Sequence, residues 1–463
     1  MKDAVAKRSA VSAAMMASAD KGRALMGGTD AMRAKGKTYL PKFEAEKEDD
    51  YTARRDSSWL FNGYSKTARD MTGRIFDKPV ELTAPPQIET WCDNVDLQGR
   101  DLSTFARDVF QDGITGPGVS YILVDAPPRD MVVTKTQAET MGLRPYMVHL
   151  RVEDVLGWRT MVVGNVTVLA QLRIHETICL PDPKDEFAEV ELEQVRVLDR
   201  TETGVQVRLF RKASGMLGSQ WVMEGEPAMT GLPEITVVPF YANWAGFFTG
   251  RPMLSDLAEA NIAHWQVQSD YRNINHVVCT PVLFGAGFSS EDKLVVSPHT
   301  ATISSNDAAK LTWVEHTGAG IASVERLLAK LELQMEAYGL QLVAGQTEAQ
   351  SATGAALDAT KETSALSMTA DALKDALEQA LIWMAQYGGL PDVGMEAKVN
   401  KDFGAGMMTP QEMTVLLSAV NTGNLSRETF LGELSRRKVI APETDVQDEA
   451  ERIVTEGGNL VAQ

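Results

Sequence analysis

Three cysteines in 463 residues, Cys92, Cys179 and Cys279, are too few, too far apart and odd in number to encode a disulfide framework or a zinc site. The chain is suited to a reducing compartment. Histidine is also sparse: His149, His175, His264, His276, His299 and His316 form neither a His-Glu-x-x-His pair nor any other tight metal-ligand spacing. No metal and no other cofactor is expected. A long hydrophobic run is missing as well, because the most apolar window, 237–248, is short for a bilayer and holds Pro239 and Asn243. No membrane partner is therefore expected. Positive charge is in deficit, with 45 Lys and Arg against 63 Asp and Glu for a formal net charge of −18. No bulk positive field is available to neutralise phosphates, so any contact with nucleic acid must allow sliding.

What is present is a globular composition, 44% hydrophobic, long enough for about two to four compact units. Charge is uneven, since residues 1–38 carry eight basic side chains against three acidic ones. This Ala-rich leader reads as a flexible basic arm and not as a signal peptide, because Lys7 and Arg8 cut its start and its apolar stretch lacks Leu. Residues 44–75 read as a helix anchored by Tyr51, Trp59, Phe61, Tyr64 and Met71, and Lys78-Pro79 stops it. A second helix over 102–111 places Phe105 and Val109 on one face. Gly113, Gly116, Pro117 and Gly118 break it before a buried strand at 119–124. Between 144 and 250, β-branched runs at 146–152, 160–174, 189–198, 205–210, 221–223 and 235–239 are joined by spacers too short for crossover helices. Antiparallel pairing follows, and with it an α+β fold class.

From 253 to 275 a helix is expected whose faces are mixed. Leu254, Leu257, Ile262, Trp265 and Tyr271 share it with Asn261, His264, Gln266, Gln268, Asp270, Arg272 and Asn273. A helix polar on several sides bridges partners better than it fills a monomer core. Asn261, His264, Trp265, Gln268, Tyr271 and Arg272 are therefore the candidate subunit-interface residues, and Trp265→Asp is expected to block assembly while the remainder stays folded. Three short strands at 280–288, 293–304 and 310–315 lead to a second helix, in which Ile321, Val324, Leu328, Leu331, Met335, Tyr338 and Leu342 recur at spacings of three and four. Residues 343–354 are almost all small or polar and read as an exposed loop. No Gly or Pro interrupts 355–387, so a helix of about 33 residues would span roughly 50 Å. The tail holds three short helices, at 411–421, 426–437 and 445–455. No internal repeat of fixed period occurs.

Few motifs carry chemistry. Residues 31–38 end in Gly36-Lys37-Thr38 and fit a relaxed phosphate-loop pattern, but that chemistry needs a strand before the loop and a helix after it. Gly116-Pro117-Gly118 enters a strand and reads as turn chemistry, and Ser120 lies in no Gly-x-Ser-x-Gly elbow. The acidic groups Glu48-Asp49-Asp50 and Asp445, Asp448, Glu449 and Glu451 read as solvated helix ends.

Several segments, taken in order, carry a resemblance. They are Arg69 with Gly73-Arg74-Ile75-Phe76-Asp77-Lys78-Pro79, then Gly116 through Pro127, and Arg144-Pro145-Tyr146 leading to Trp158-Arg159. The strongest is Pro252-Met253-Leu254-Ser255-Asp256-Leu257-Ala258-Glu259-Ala260-Asn261-Ile262-Ala263-His264-Trp265, with Ser269-Asp270-Tyr271-Arg272 and Thr280-Pro281-Val282-Leu283 after it. Over about residues 40–400 the chain resembles the portal proteins of tailed bacteriophages, in particular a branch of largely uncharacterised phage proteins. No single motif is chemical, so the specificity lies in their order.

The resemblance implies a head–tail connector, a ring of usually twelve subunits at one capsid vertex through which double-stranded DNA is packaged and ejected. It implies a wing at 39–250, stem helices at 251–276 and 320–342 around a clip at 277–319, a channel loop at 343–354, the wing's long helix at 355–405 and a crown at 406–463. The arm at 1–38 is not accounted for. Gln346, Thr347, Glu348, Gln350 and Ser351 would face DNA in transit. The implied partners are further copies of the chain, the terminase large subunit, head-completion or adaptor proteins, and the major capsid and scaffolding proteins. The expected location is the virion, after assembly in the cytoplasm of the bacterial host. The role is expected to be structural and not enzymatic. The alternatives are a nucleotide-dependent nucleic-acid enzyme, resting on residues 31–38, and another adaptor or scaffolding subunit of the virion.

Overall fold

A computed structural model describes residues 2–126, 142–182, 185–215, 218–278, 282–288, 306, 308–314, 321–343, 352–391, 394–401, 410–436, 439–440, 449 and 452. Residues 2–38 are not a loose arm. After a short 3-10 turn, α1 (Ala10–Met26) starts at Ser9, whose Oγ accepts the Ser12 N–H at 3.2 Å, and α2 (Gly28–Lys35) follows. The small residues that suggested looseness permit close packing instead. Ser12, Ala19 and Gly22 lie on the buried side of α1, and a Cβ at Gly22 would sit 2.0 Å from the Thr115 carbonyl oxygen. Leu25 and Met32 are fully buried. The basic side chains are spent on the protein itself: Arg8 donates to the carbonyls of Val152, Glu153 and Val155, Lys35 pairs with Asp20, and Lys21 with Glu259.

The helix expected over 44–75 is two, α3 (Glu48–Ser57) and α4 (Gly63–Ile75). Asn62 Oδ1 accepts the Ser65 N–H at 2.9 Å and so starts α4 afresh, a capping interaction that competes with helix continuation. Tyr51, Tyr64 and Met71 are core residues as expected, whereas Trp59 and Phe61 stand exposed in the turn between the helices. Strand β1 (Glu81–Thr83) and helix α5 (Pro86–Cys92) precede α6 (Leu102–Thr115), which is capped by Asp101.

Strand β2 (Val119–Asp125) pairs antiparallel with β3 (Tyr146–Leu150) on one side. A five-stranded antiparallel meander follows: β4 (Val155–Val163), β5 (Val166–Pro181), β6 (Glu189–Thr201), β7 (Gly204–Gly215) and β8 (Gly218–Met229). The single strand expected at 160–174 is a hairpin. Gly164 and Asn165 both take positive φ, +54° and +66°, the requirement of a tight two-residue turn. Strand β9 (Val237–Tyr241) returns to the other side of β2, and β10 (Trp244–Gly246) with β11 (Thr249–Gly250) forms a small hairpin. Here Gly118, at φ +82°, has its α-carbon so close to the passing chain that a Cβ would lie 1.9 Å from the Arg251 carbonyl oxygen. The Gly-Pro-Gly motif thus serves a backbone crossing.

Because side chains alternate along a strand, β2 feeds two cores. Ile122 and Val124 join Phe105, Val109 and Phe110 of α6 in the larger, helical core, while Val119, Tyr121 and Leu123 join Met15, Leu172, Ile174 and Phe248 in the second. The rest of the chain comprises α7 (Ser255–Val278), β12 (Val282–Ala286), β13 (Lys310–Val314), α8 (Ile321–Val343) and the 37-residue α9 (Ala352–Gly388). Leu366, Leu373, Leu377, Leu381 and Met384 of α9 line the larger core, so its C-terminal half is a central packing element. Strand β14 (Glu396–Lys398) pairs with β1, and α10 (Pro410–Asn421) and α11 (Arg427–Arg436) match two of the three expected tail helices. The strand expected at 293–304 lies outside the described residues, as does nearly all of the helix expected at 445–455. The chain is an α+β protein with antiparallel sheets.

Candidate functional site

Helices α7 and α8 run antiparallel, with rungs that fix their register. Tyr271 Oη donates to Glu325 Oε1 at 2.8 Å, and His264 Nε2 lies 3.2 Å from Glu332 Oε1. Seven residues along α7 thus match seven back along α8, two helical turns in each. Leu328 and Met335 are buried and Ile321, Val324 and Leu331 half-buried, a seam of spacing three and four against α7 and α4.

The first half of α7 is rooted in the body and the second half stands clear of it. Leu254, Leu257, Ala258, Ile262 and Trp265 are buried, but Arg272, Asn273 and Ile274 are exposed. Several polar residues expected at a subunit interface are already committed within the chain. Asn261 Oδ1 accepts from the Tyr64 N–H at 2.9 Å while its Nδ2 donates to the Phe61 carbonyl at 2.8 Å. Gln266 Nε2 donates to the Tyr39 carbonyl, and Asp270 meets the buried Arg54. His264 is buried with its ring 5.3 Å from that of Phe61. Trp265 is 0% exposed inside the larger core, which corrects its reading as an interface anchor: the body of the same chain supplies the cover that a neighbour was expected to supply. Of the six candidates, only half-buried Gln268 and Tyr271 and exposed Arg272 retain an outward surface.

The outward apolar residues of the pair lie instead on α8. Leu327 and Tyr338, eleven residues apart and so within about 20° on a helix, flank the seam, and Leu333 on the far side is 66% exposed. Periodicity hints at this, since Leu327 and Leu333 are off the seam, whereas Tyr338 had been counted within it. At the outer end, β12 and β13 pair with Leu283 opposite Trp313 and Gly285 opposite Leu311. Leu311 and Trp313 share one exposed face, with Phe284 exposed on the other. A two-stranded ribbon with open apolar faces is marginal alone and is stabilised by cover. The channel-loop candidates Gln346, Thr347, Glu348, Gln350 and Ser351 lie outside the described residues.

A second polar constellation, unseen in the sequence, joins α1, α6, β2 and β3. Ser120 Oγ lies 2.8 Å from His149 Nε2, which is 3.5 Å from Asp112 Oδ2. Arg23 pairs with Asp112 and also with Glu153, at 2.8 Å. Serine, histidine and aspartate so placed invite comparison with a hydrolytic triad, but a triad needs the hydroxyl and the carboxylate on opposite ring nitrogens and an accessible nucleophile. Here both approach Nε2, and Ser120 is fully buried. The cluster is a structural ion-pair network. Burial alone would raise the Asp112 pKa, but His149 and Arg23 outweigh it and hold it below the usual range. Burial likewise opposes the Arg23 cation, and Asp112 and Glu153 overcome it, raising its pKa.

Arg23→Ala strips a buried carboxylate of its main partner and is expected to cost about 3 kcal/mol in denaturant unfolding at neutral pH. The sign of the pH dependence follows from the depressed carboxylate: its stabilisation is complete above the ordinary aspartate pKa, about 4, and is lost as pH falls through the lower folded value. The gap between wild type and variant should therefore close in strong acid. An unchanged gap in acid would count against this assignment.

The segment 31–38 has no phosphate-loop geometry. Its glycine follows helix α2 and leads into a 3-10 turn (Gly36–Thr38), where Lys37 pairs with Glu48 at 2.9 Å. Among the described residues no group of His, Cys, Asp or Glu is placed to hold a metal ion, and no helix is long and apolar enough to cross a membrane.

The fold therefore defines an α+β protein that carries an antiparallel helix pair tipped by a β ribbon. Residues 252–388 match the model of a family described as a domain of unknown function, DUF4055. The matched span opens just before α7 and closes on the last residue of α9, so it coincides with the helix pair, the ribbon and the long helix. No curated protein matches the chain.

Proposed function

We propose that this protein is a ring-forming subunit of a tailed-phage portal, the channel at one capsid vertex through which DNA is packaged and ejected. The observation that carries this reading is the α7–α8 pair, anchored by half of α7 yet bearing Leu327, Leu333 and Tyr338 outward and an apolar ribbon at its end. A self-contained monomer has no use for such residues; a closed ring covers them with neighbouring copies. Trp59 and Phe61, exposed beside the root of the pair, extend the same surface.

In this reading the pair is the stem, the ribbon is the clip on which the terminase large subunit docks, and residues 343–354 form the loop nearest the DNA. The net charge of −18 per subunit disfavours adhesion of the phosphate backbone to the ring, which suits a conduit. Packaging energy would come from the terminase, and head-completion, capsid and scaffolding proteins would meet the remaining surfaces. The particle would assemble in the host cytoplasm and remain in the virion, with about twelve subunits expected from the resemblance. Geometry at residues 31–38 disfavours the nucleotide-enzyme alternative, and no specific observation favours an adaptor or scaffolding subunit. Negative-stain micrographs of the purified protein should show rings with a central hole. A strictly monomeric particle by light scattering at every concentration tried would overturn the proposal.

A further inference from the structure

The five-stranded sheet has two free edges, β4 and β8. Near its start the chain covers β4 itself: the Ser9 N–H donates to the Leu156 carbonyl at 2.7 Å, and Arg8 and Ser12 donate to the Val155 carbonyl. From Trp158 to Val163 no such cover exists among the described residues. This open stretch leads into a hairpin tip with no charged residue anywhere from 160 to 172, where Met161, Val162, Val163 and Val166 are all exposed, Val162 at 68%. Edge strands are normally guarded by charge, proline or a bulge, and this one is guarded by none of them. On β8, Val222 and Met223 are exposed, while Gly225 at φ +67° and Pro227 close the edge beyond them.

We infer that the open edge of β4 docks on the open edge of β8 of a neighbouring copy, so that the sheet continues from subunit to subunit; this rests on the ring reading. Charge selects the occupant. Arg159 on β4 has no carboxylate partner, and Arg173 beside it is committed to the carbonyls of Ala4, Val5 and Lys7. Glu226 on β8 has no cationic partner among the described residues. Joining β4 to β8 brings a free cation to an edge with a free anion, whereas β4 on a second β4 would bring together two unneutralised arginines. Direction agrees as well. In an antiparallel meander β4 and β8 run the same way, so rotation about a ring axis presents them as parallel neighbours, while β4 on β4 requires a two-fold axis.

The test uses the full chain with Cys179 and Cys279 replaced by serine. Val162→Cys and Val222→Cys lie on the same face of the sheet, and a short bismaleimide should link the doubly substituted chain into a ladder of covalent multimers, with no product from either single variant. Dimers from Val162→Cys alone would overturn the proposal in favour of two-fold edge pairing. Rings by microscopy without any ladder would overturn this inference and leave the ring reading standing; a monomer without a ladder would remove both. As an independent arm, Val162→Lys should abolish the ladder in the doubly cysteine-substituted background, carried as Met161→Cys with Val222→Cys, with an unchanged melting temperature. A ladder of undiminished yield there would count against the edge contact.

Discussion

A chain lacking residues 1–26 is expected not to fold, and to show no cooperative melting transition by circular dichroism. Helix α1 is a strap laid across both cores: Met15 and Ala19 fill the core beneath the large sheet, and Ala24 and Leu25 belong to the helical core. Its removal would uncover both at once and leave Asp112 buried without Arg23. Leu25→Ala alone should cost about 2–5 kcal/mol, the usual range for a fully buried leucine. These effects separate the strap from an appended arm, whose deletion would be neutral. A truncated chain that melts cooperatively at the wild-type temperature would refute the assignment.

The second large effect separates assembly from folding. Trp265→Asp places a charge in the larger core, and the cost of burying an unpaired carboxylate together with the lost aromatic packing exceeds the stability of most domains. This variant should fail to fold, contrary to the outcome expected from the helix's mixed composition. Leu327→Asp with Leu333→Asp instead replaces two exposed side chains and should leave the melting temperature within a few degrees of wild type while abolishing rings. Size-exclusion chromatography with light scattering reads the assembly, and calorimetry reads the fold. Rings that survive the double substitution would show that α8 is not a subunit contact.

These contrasts mark where the sequence was readable. Apolar spacing predicted α8 nearly to the residue, β2 and the antiparallel meander, because a helix seam or an alternating strand leaves its period in the chain whatever it packs against. The split between α3 and α4 was missed, since one asparagine cap at Asn62 outweighs helix propensity on both sides of it. The hairpin within 160–174 was missed because Gly-Asn is a weaker turn signal than Asn-Gly, and the uncharged residues on both sides of it read as one run. The Arg23–Asp112–His149–Ser120 network left no local trace, because its members come from four elements spread over more than a hundred residues.

By itself the sequence determined the α+β class, the antiparallel pairing and the order of helix, ribbon and helix, all of which follow from local periodicity and short connections. Only the tertiary structure decided that the basic N-terminal segment is core, that Trp265 belongs to its own subunit, and that Leu327 and Leu333 do not. The physical reason is that a period tells which side of an element seeks cover, while burial by a partner distant in the chain depends on contacts that no window of sequence contains.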